Sequence, residues 1–125
     1  MKNGASILVI DDEEIIRRSC LRILEPLGFK VDTAPDGPSA LSMLANRRPY
    51  DLVLTDLKMP NMDGLEVMAE ILKRYPGLRI ILVTGYSTRQ TAANALKMGA
   101  FNYVEKPFNP ETLASVVKEA LEGIA

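Results

Sequence analysis

The sequence predicts an α/β fold in which a parallel five-stranded sheet is covered by helices on both faces. Short apolar runs rich in branched residues alternate along the chain with segments of helical spacing. Two of these runs, at residues 7–10 and 52–55, are followed directly by aspartate. Such runs are typical of strands buried on both faces of a parallel sheet. Strands that alternate with helices imply right-handed crossovers and hence a three-layer arrangement.

Turn and capping residues set the limits of the predicted elements. Pro26 and Gly28 end the first helix, and residues 87–90 have the capping-box spacing that opens the fourth. Asn109 and Pro110 cap and start the last helix. The fourth strand is nearly all apolar and is expected to lie inside the sheet. In chain order, the predicted strands are 7–10, 30–34, 52–55, 78–84 and 102–105, and the predicted helices are 13–25, a segment from the turn at 36–39 to about 47, 65–75, 88–98 and a segment from 110.

Length and charge exclude several classes of function. A chain of 125 residues is expected to form one domain, spanning 1–125, with a sizeable core. Its formal net charge of -1 gives no broad attraction to nucleic acid or to a membrane surface. No apolar stretch is long enough to cross a membrane, and the first residues lack a signal-peptide core.

Histidine and cysteine usage narrows the chemistry further. The chain has no histidine, which excludes Ser-His-Asp and Cys-His catalytic pairs, histidine-containing zinc sites and a phosphohistidine on this chain. The single cysteine, Cys20, cannot form an internal disulfide, which fits a reducing cytoplasm. Its helical spacing with apolar neighbours predicts a small buried side chain.

Polar residues stand where four of the predicted strands end. Asp11 and Asp12 follow the first strand and Asp56 follows the third, while Thr84 ends the fourth strand and Lys106 follows the fifth. Open parallel sheets bind their ligands at this edge. Rossmann-like and flavodoxin-like strand orders both suit the chain. In the flavodoxin-like order, 2-1-3-4-5, the first and third strands are neighbours, which would bring the three aspartates together.

Three converging carboxylates repel one another unless a cation or a proton compensates. Mg²⁺ prefers oxygen ligands, and Asp11 with Asp12 could hold it. Asp56 could give one oxygen to the metal and keep the other as a nucleophile toward phosphorus. Lys106 could supply a positive charge to phosphoryl oxygens, and Thr84 a hydroxyl donor.

The same motifs resemble the receiver domain of two-component response regulators over essentially the whole chain. The residues that carry this resemblance are Asp11-Asp12, Asp56 with Met59-Pro60 and Asp63-Gly64, Thr84-Gly85, and Lys106-Pro107-Phe108. Each motif alone is weak, but together and in this order they are specific. The resemblance implies a flavodoxin-like (βα)5 sandwich with strand order 2-1-3-4-5, and a cis peptide bond between Lys106 and Pro107.

The resemblance also implies a function. Asp56 would accept a phosphoryl group from a phosphohistidine of a sensor histidine kinase or a histidine phosphotransfer protein. Mg²⁺, or Mn²⁺ in its place, would be bound by Asp11, Asp12, Asp56 and the backbone carbonyl of Lys58. Such a protein is a cytoplasmic signalling domain and not an enzyme, and it assists only its own phosphorylation and slow dephosphorylation.

The resemblance implies that Thr84 and Tyr103 form a conformational switch that responds to phosphorylation. Phosphorylation would draw Thr84 inward, and Tyr103 would change rotamer into the vacated space. This would alter the face made by the fourth helix, fifth strand and fifth helix, which would serve output or homodimerisation. The fourth helix is rich in small residues, which suggests either a movable helix or close packing on the sheet. The stretch 83–87 is similar to receivers of enhancer-binding transcription activators, so a DNA-binding output would lie in another domain.

Two positions predict how long the phosphorylated state lasts. Lys58 stands two residues after Asp56, and Tyr86 two residues after Thr84. Neither side chain can orient an attacking water as a carboxylate or an amide would. The sequence therefore predicts a long-lived phosphorylated state.

Other interpretations stay open at this level. Asp11 and Asp12 are also suited to capping a helix, Thr84 to a turn, Lys106 to solvent and Tyr103 to packing. A phosphatase of the haloacid-dehalogenase type would need an acid where Lys58 stands. A flavin- or nucleotide-binding module would need a glycine-rich loop where acidic residues follow the first strand. A receiver-like platform that acts by partner binding without phosphorylation is a further alternative.

Overall fold

The computed structural model describes residues 4–46, 49–85 and 89–122. Five strands and five helices alternate along these residues, as the sequence predicts. The strands are β1 (Ser6–Ile10), β2 (Lys30–Ala34), β3 (Leu52–Thr55), β4 (Arg79–Thr84) and β5 (Asn102–Glu105), and the helices are α1 (Glu14–Leu24), α2 (Gly37–Asn46), α3 (Gly64–Arg74), α4 (Arg89–Met98) and α5 (Pro110–Leu121).

The five strands form one parallel sheet of order β2-β1-β3-β4-β5, which confirms the predicted fold class. Because β1 and β3 are neighbours, their carboxyl ends lie side by side at one edge of the sheet. Ile10 pairs with Thr55, so the next residue of each strand, Asp11 and Asp56, leaves the sheet at the same level. At the other side, β4 and β5 end together at the pair Thr84 and Glu105.

Alternating strand residues divide the core into two layers, one on each face of the sheet. In β1, Ile7 and Val9 pack with residues of α1 and α5, whereas Leu8 and Ile10 pack with residues of α2, α3 and α4. All five residues of β1 are buried, as expected for a strand covered on both faces.

Observed caps explain two of the predicted element boundaries. Gly28 adopts a φ of 95°, a left-handed conformation that suits glycine and ends the 3₁₀ turn after α1. The Asn109 side chain accepts a hydrogen bond from the Thr112 amide at 2.7 Å, which caps α5 as predicted. The capping box expected at residues 87–90 extends outside the described residues.

Helix α3 differs from its prediction at the first turn. The sequence places residues 60–64 in a loop, but the helix starts at Gly64 and is capped by Asp63. The Asp63 carboxylate accepts from the Glu66 amide at 2.9 Å, and the Glu66 carboxylate accepts from the Asp63 amide at 3.3 Å. This reciprocal capping box stabilises a helix start that the preceding Pro60 and Asn61, and Gly64 itself, conceal in the sequence.

Helix α4 contributes little to the core through its described side chains. Ala92 and Ala95 are buried, whereas Leu96 and Met98 are each 44% exposed. Small residues therefore form the contact with the sheet, and larger apolar residues face solvent. None of the helices in the described parts of the chain combines the length and the apolar character that a membrane span requires.

Cys20 is fully buried in α1, and burial raises the pKa of its thiol to about 12. At pH 8 almost no thiolate is present, so we expect iodoacetamide to label the folded chain very slowly. Unfolding in urea should restore ordinary cysteine reactivity, and mass spectrometry can follow both reactions. Rapid labelling of the folded protein would contradict the burial of Cys20.

Candidate functional site

Three aspartates meet at the carboxyl end of β1 and β3. Asp11 and Asp56 are 1% and 3% exposed, whereas Asp12 faces solvent. One carboxylate oxygen from each of the three lies within 4.8 Å of the other two. The structure therefore brings together the three carboxylates that the sequence predicts to converge.

Lys106 reaches into this acidic cluster from the end of β5. Its Nζ lies 2.8 Å from Asp11 Oδ2 and 3.3 Å from Asp56 Oδ2, and its side chain is only 11% exposed. The same Nζ lies 3.2 Å from Glu13 Oε1. A backbone hydrogen bond from the Lys106 amide to the Thr84 carbonyl fixes this position at 3.0 Å. The Lys106–Pro107 peptide bond is cis.

Backbone amides orient the two buried carboxylates. The Leu57 amide donates to Asp56 Oδ1 at 2.7 Å, and the Glu13 amide donates to Asp11 Oδ1 at 2.9 Å. Arg17 Nη1 donates to the Asp11 backbone carbonyl at 2.7 Å. Each carboxylate therefore has one oxygen bonded to the main chain and the other directed to Lys106.

Burial and charge act in opposite directions at this site. Burial raises the pKa of Asp11, and the nearby Asp56 charge adds to this effect, although Lys106 and the Glu13 amide partly offset it. Burial alone would lower the pKa of Lys106. Its hydrogen bonds and charge interactions with the surrounding carboxylates outweigh burial, and the net effect raises it. The lysine is therefore firmly protonated and offsets part of the negative charge of the cluster.

The remaining predicted residues lie around this centre. Thr84 is buried at the end of β4, one strand away from Lys106. Tyr103 is partly buried, pairs with Leu82 across the sheet and packs on the α2, α3 and α4 face. Lys58 is exposed two residues beyond Asp56. Tyr86 falls outside the described residues.

Gly64 has a role at the site that its place in the Asp63-Gly64 motif does not reveal. Its amide donates to the Leu57 carbonyl at 2.6 Å. A Cβ atom added at Gly64 would overlap the Asp56 carbonyl oxygen and lie 2.8 Å from Leu57 Cα. The start of α3 therefore packs directly against the backbone that carries Asp56, and only glycine allows this approach.

Sequence reasoning also missed Glu13 and Arg17, which bond to the site from the start of α1. Acidic and basic residues on an exposed helix turn are common, and no motif marks these two. Their spacing of four residues places them on one face of the helix, which was the only signal for a shared role.

Comparison with known proteins identifies the family. Residues 7–118 match the response regulator receiver domain. An NtrX-like response regulator of Rickettsia bellii is 42% identical over 118 residues, which cover 93% of this chain and 24% of that protein. The DNA-binding transcriptional regulator NtrC of Escherichia coli is 36% identical over 115 residues, covering 92% and 24%. The chain thus spans about a quarter of the length of these curated relatives.

The structural comparison agrees with the sequence comparison. The crystal structure of the receiver domain of NtrX from Brucella abortus has a TM-score of 0.88 and 38% identity, covering 94% of this chain and 98% of that one. A response regulator receiver domain protein from Clostridium thermocellum has a TM-score of 0.87 and 36% identity, covering 94% of each chain. The sequence match over 7–118 and these folds confirm the predicted family: the chain belongs to the response regulator receiver domains of two-component signalling.

Proposed function

We propose that Asp56 accepts a phosphoryl group from a phosphohistidine on a sensor histidine kinase or a histidine phosphotransfer protein. The observation that carries this proposal is the setting of Asp56, a buried carboxylate beside a second carboxylate and within 3.3 Å of a lysine ammonium. An ammonium at this distance can also reach oxygens on a phosphorus atom bound to Asp56. The arrangement thus suits Asp56 to act as the nucleophile, and it can stabilise the negative charge of a phosphoryl group bound to Asp56.

The transfer needs few groups from the protein. A carboxylate oxygen of Asp56 forms a bond to phosphorus while the bond from phosphorus to the donor imidazole nitrogen breaks. The imidazole nitrogen keeps the electron pair of the broken bond, the ring takes a proton from solvent, and Asp56 becomes an acyl phosphate. The Lys106 ammonium then offsets the negative charge of the phosphoryl oxygens, and the Thr84 hydroxyl donates a hydrogen bond to them.

The donor set suits a hard divalent cation. Asp11, Asp12 and Asp56 offer carboxylate oxygens, the ligands that Mg²⁺ and Mn²⁺ prefer. We assign these three side chains and the Lys58 backbone carbonyl to the metal site. When bound, the cation supplies positive charge that lowers the repulsion between the acidic cluster and an incoming phosphoryl group.

We assign the switch to Thr84 and Tyr103. Thr84 is buried close to the phosphoryl site, and Tyr103 packs beside the face that includes α4. The small buried residues of α4 favour a movable helix over one fixed by large side chains. Leu96 and Met98, each 44% exposed, support an output or homodimer role for the face formed by α4, β5 and α5.

The wider role of the protein is also a proposal. We place residues 1–125 as one receiver domain of a cytoplasmic phosphorelay that signals and does not catalyse turnover of a substrate. Similarity to NtrX and NtrC supports transcription regulation as the output, with DNA contacted by another part of a longer regulator. The receiver itself carries a net charge of only -1 and is not assigned a nucleic-acid site.

Chemical phosphorylation tests the central proposal. The chain is incubated with acetyl phosphate, with Mg²⁺ or with EDTA, and its intact mass is measured. We expect a mass gain of one phosphoryl group that requires Mg²⁺. Borohydride reduction converts an aspartyl phosphate to homoserine, and peptide mapping should then find homoserine at position 56. An unmodified chain, or a label at another aspartate, would refute the assignment of Asp56.

The exposed Lys58 predicts a persistent phosphorylated state. We expect the acyl phosphate to last for minutes or longer without a phosphatase, because Lys58 cannot orient a water molecule for attack. Lys58→Gln introduces an amide and should shorten the lifetime several-fold, measured by loss of the phosphoryl mass over time. Lys73→Gln, which removes an exposed lysine of α3, is the matched control. Loss from the wild type within seconds would contradict the prediction.

A further inference from the structure

Three carboxylates hold Lys106, but one of them lies outside the acidic cluster. The Lys106 ammonium lies 2.8 Å from Asp11 and 3.3 Å from Asp56, both proposed metal ligands. The third partner, Glu13, lies 3.2 Å away, and its side chain is 56% exposed. Glu13 is absent from the three-aspartate group that could hold a metal ion. It therefore contacts the lysine from the side of the site that faces solvent.

A divalent cation and the Lys106 ammonium compete for the same two carboxylates. Their like charges repel, so binding of the cation weakens the interactions of Lys106 with Asp11 and Asp56. The lysine side chain is only 11% exposed, and an ammonium in that position is costly without a partner. A carboxylate that does not bind the metal can lower this cost.

We propose that Glu13 is a positioning residue that retains Lys106 when Asp11 and Asp56 bind the metal ion. The inference rests on the proposed function and adds a residue to it. Glu13 allows the ammonium to release the metal ligands without leaving the site, where it stays within reach of the phosphoryl oxygens. Metal affinity therefore depends on Glu13 through Lys106, and not only through the charge of Glu13.

Glu14 provides the control for a general charge effect, because any nearby carboxylate attracts a dication. Glu14 carries the same charge one residue further along α1 and is 65% exposed. It pairs with Arg18 at 2.9 Å. Glu14→Gln therefore removes one charge from the same helical turn and leaves the pair between Glu13 and Lys106 in place.

Isothermal titration of the full chain with Mg²⁺ tests the inference. We expect Glu13→Gln and Glu13→Asp each to weaken binding roughly threefold or more. The aspartate keeps the charge but is one methylene too short to reach Lys106. Glu14→Gln should change the dissociation constant by less than about twofold. In a Lys106→Gln background, Glu13→Gln should weaken binding no more than Glu14→Gln does in the wild type.

Each contrary outcome identifies what has failed. Wild-type affinity in Glu13→Asp would overturn the inference, because charge alone would then suffice. An equal loss on Glu13→Gln with and without Lys106 would overturn it too, since Glu13 would then act on the metal directly. A wild type that binds no Mg²⁺ would overturn the metal assignment itself. The comparison of Glu13→Asp with the wild type needs no Lys106 variant. It therefore tests whether Glu13 acts by contact or by charge alone even where Lys106→Gln does not fold.

Discussion

Replacing Asp56 with asparagine is expected to abolish phosphorylation by acetyl phosphate, with no mass gain at any time of incubation. An amide oxygen is a poor nucleophile toward phosphorus, and asparagine carries no charge to bind the metal. The variant should fold normally, because the amide oxygen can still accept from the Leu57 amide. The substitution also removes the negative charge at position 56, which repels the Asp11 carboxylate. Intact mass and thermal unfolding measure the two effects.

Asp51→Asn is the matched control for this substitution. Asp51 lies just before the other end of β3, where its carboxylate accepts from the Ser6 amide at 2.8 Å, a bond that asparagine can keep. We expect Asp51→Asn to be phosphorylated at the wild-type rate. Equal mass gain in Asp56→Asn and the wild type would show that another group is the acceptor. Loss of modification in Asp51→Asn would show that the assay reports folding and not the acceptor.

Gly64→Ala is expected to lower the free energy of unfolding by about 3 kcal/mol. The new methyl group would overlap the Asp56 carbonyl oxygen and approach Leu57 Cα at 2.8 Å. The backbone of two adjacent segments must shift to admit it, since neither neighbour is the end of a flexible side chain. Urea unfolding followed by circular dichroism measures the loss. The shift would also displace Asp56, so phosphorylation of the folded fraction should be slower.

Gly77→Ala serves as the control for the loss of a glycine. A Cβ atom at Gly77 would meet no atom within 4 Å. We expect its unfolding free energy to change by less than about 0.5 kcal/mol. A Gly64→Ala variant as stable as Gly77→Ala would contradict the close approach of α3 to the Asp56 backbone.

Much of the fold could be predicted because its determinants are local. Branched apolar runs, Gly28 and the Asn109 cap each act within a few residues, and the elements they predict are present. Strand order depends on contacts between distant segments, so the residues alone left two orders open and the family resemblance decided between them. The early start of α3 was missed because the Asp63 and Glu66 capping box lies next to a loop of turn-forming residues.

The candidate site was predictable where a residue follows directly from a strand end. Asp11, Asp56 and Lys106 meet because parallel strands place their carboxyl ends at one edge. Glu13 could not be predicted, since its contact with Lys106 joins residues 93 positions apart through two long side chains. The roles of these residues in phosphorylation, and the extent of the domain over 1–125, stay predictions.

The position of β5 affects how the chain can acquire its structure during synthesis. Lys106 follows Asp56 by 50 residues and lies at the end of the edge strand, the last of the sheet to be translated. A nascent chain can therefore pair β1 with β3 and bring the aspartates together before their positive partner has left the ribosome. In the folded chain, β5 both completes the sheet and brings the Lys106 ammonium to its acidic edge. Electrostatic attraction thus adds to strand pairing in drawing the final strand to its place.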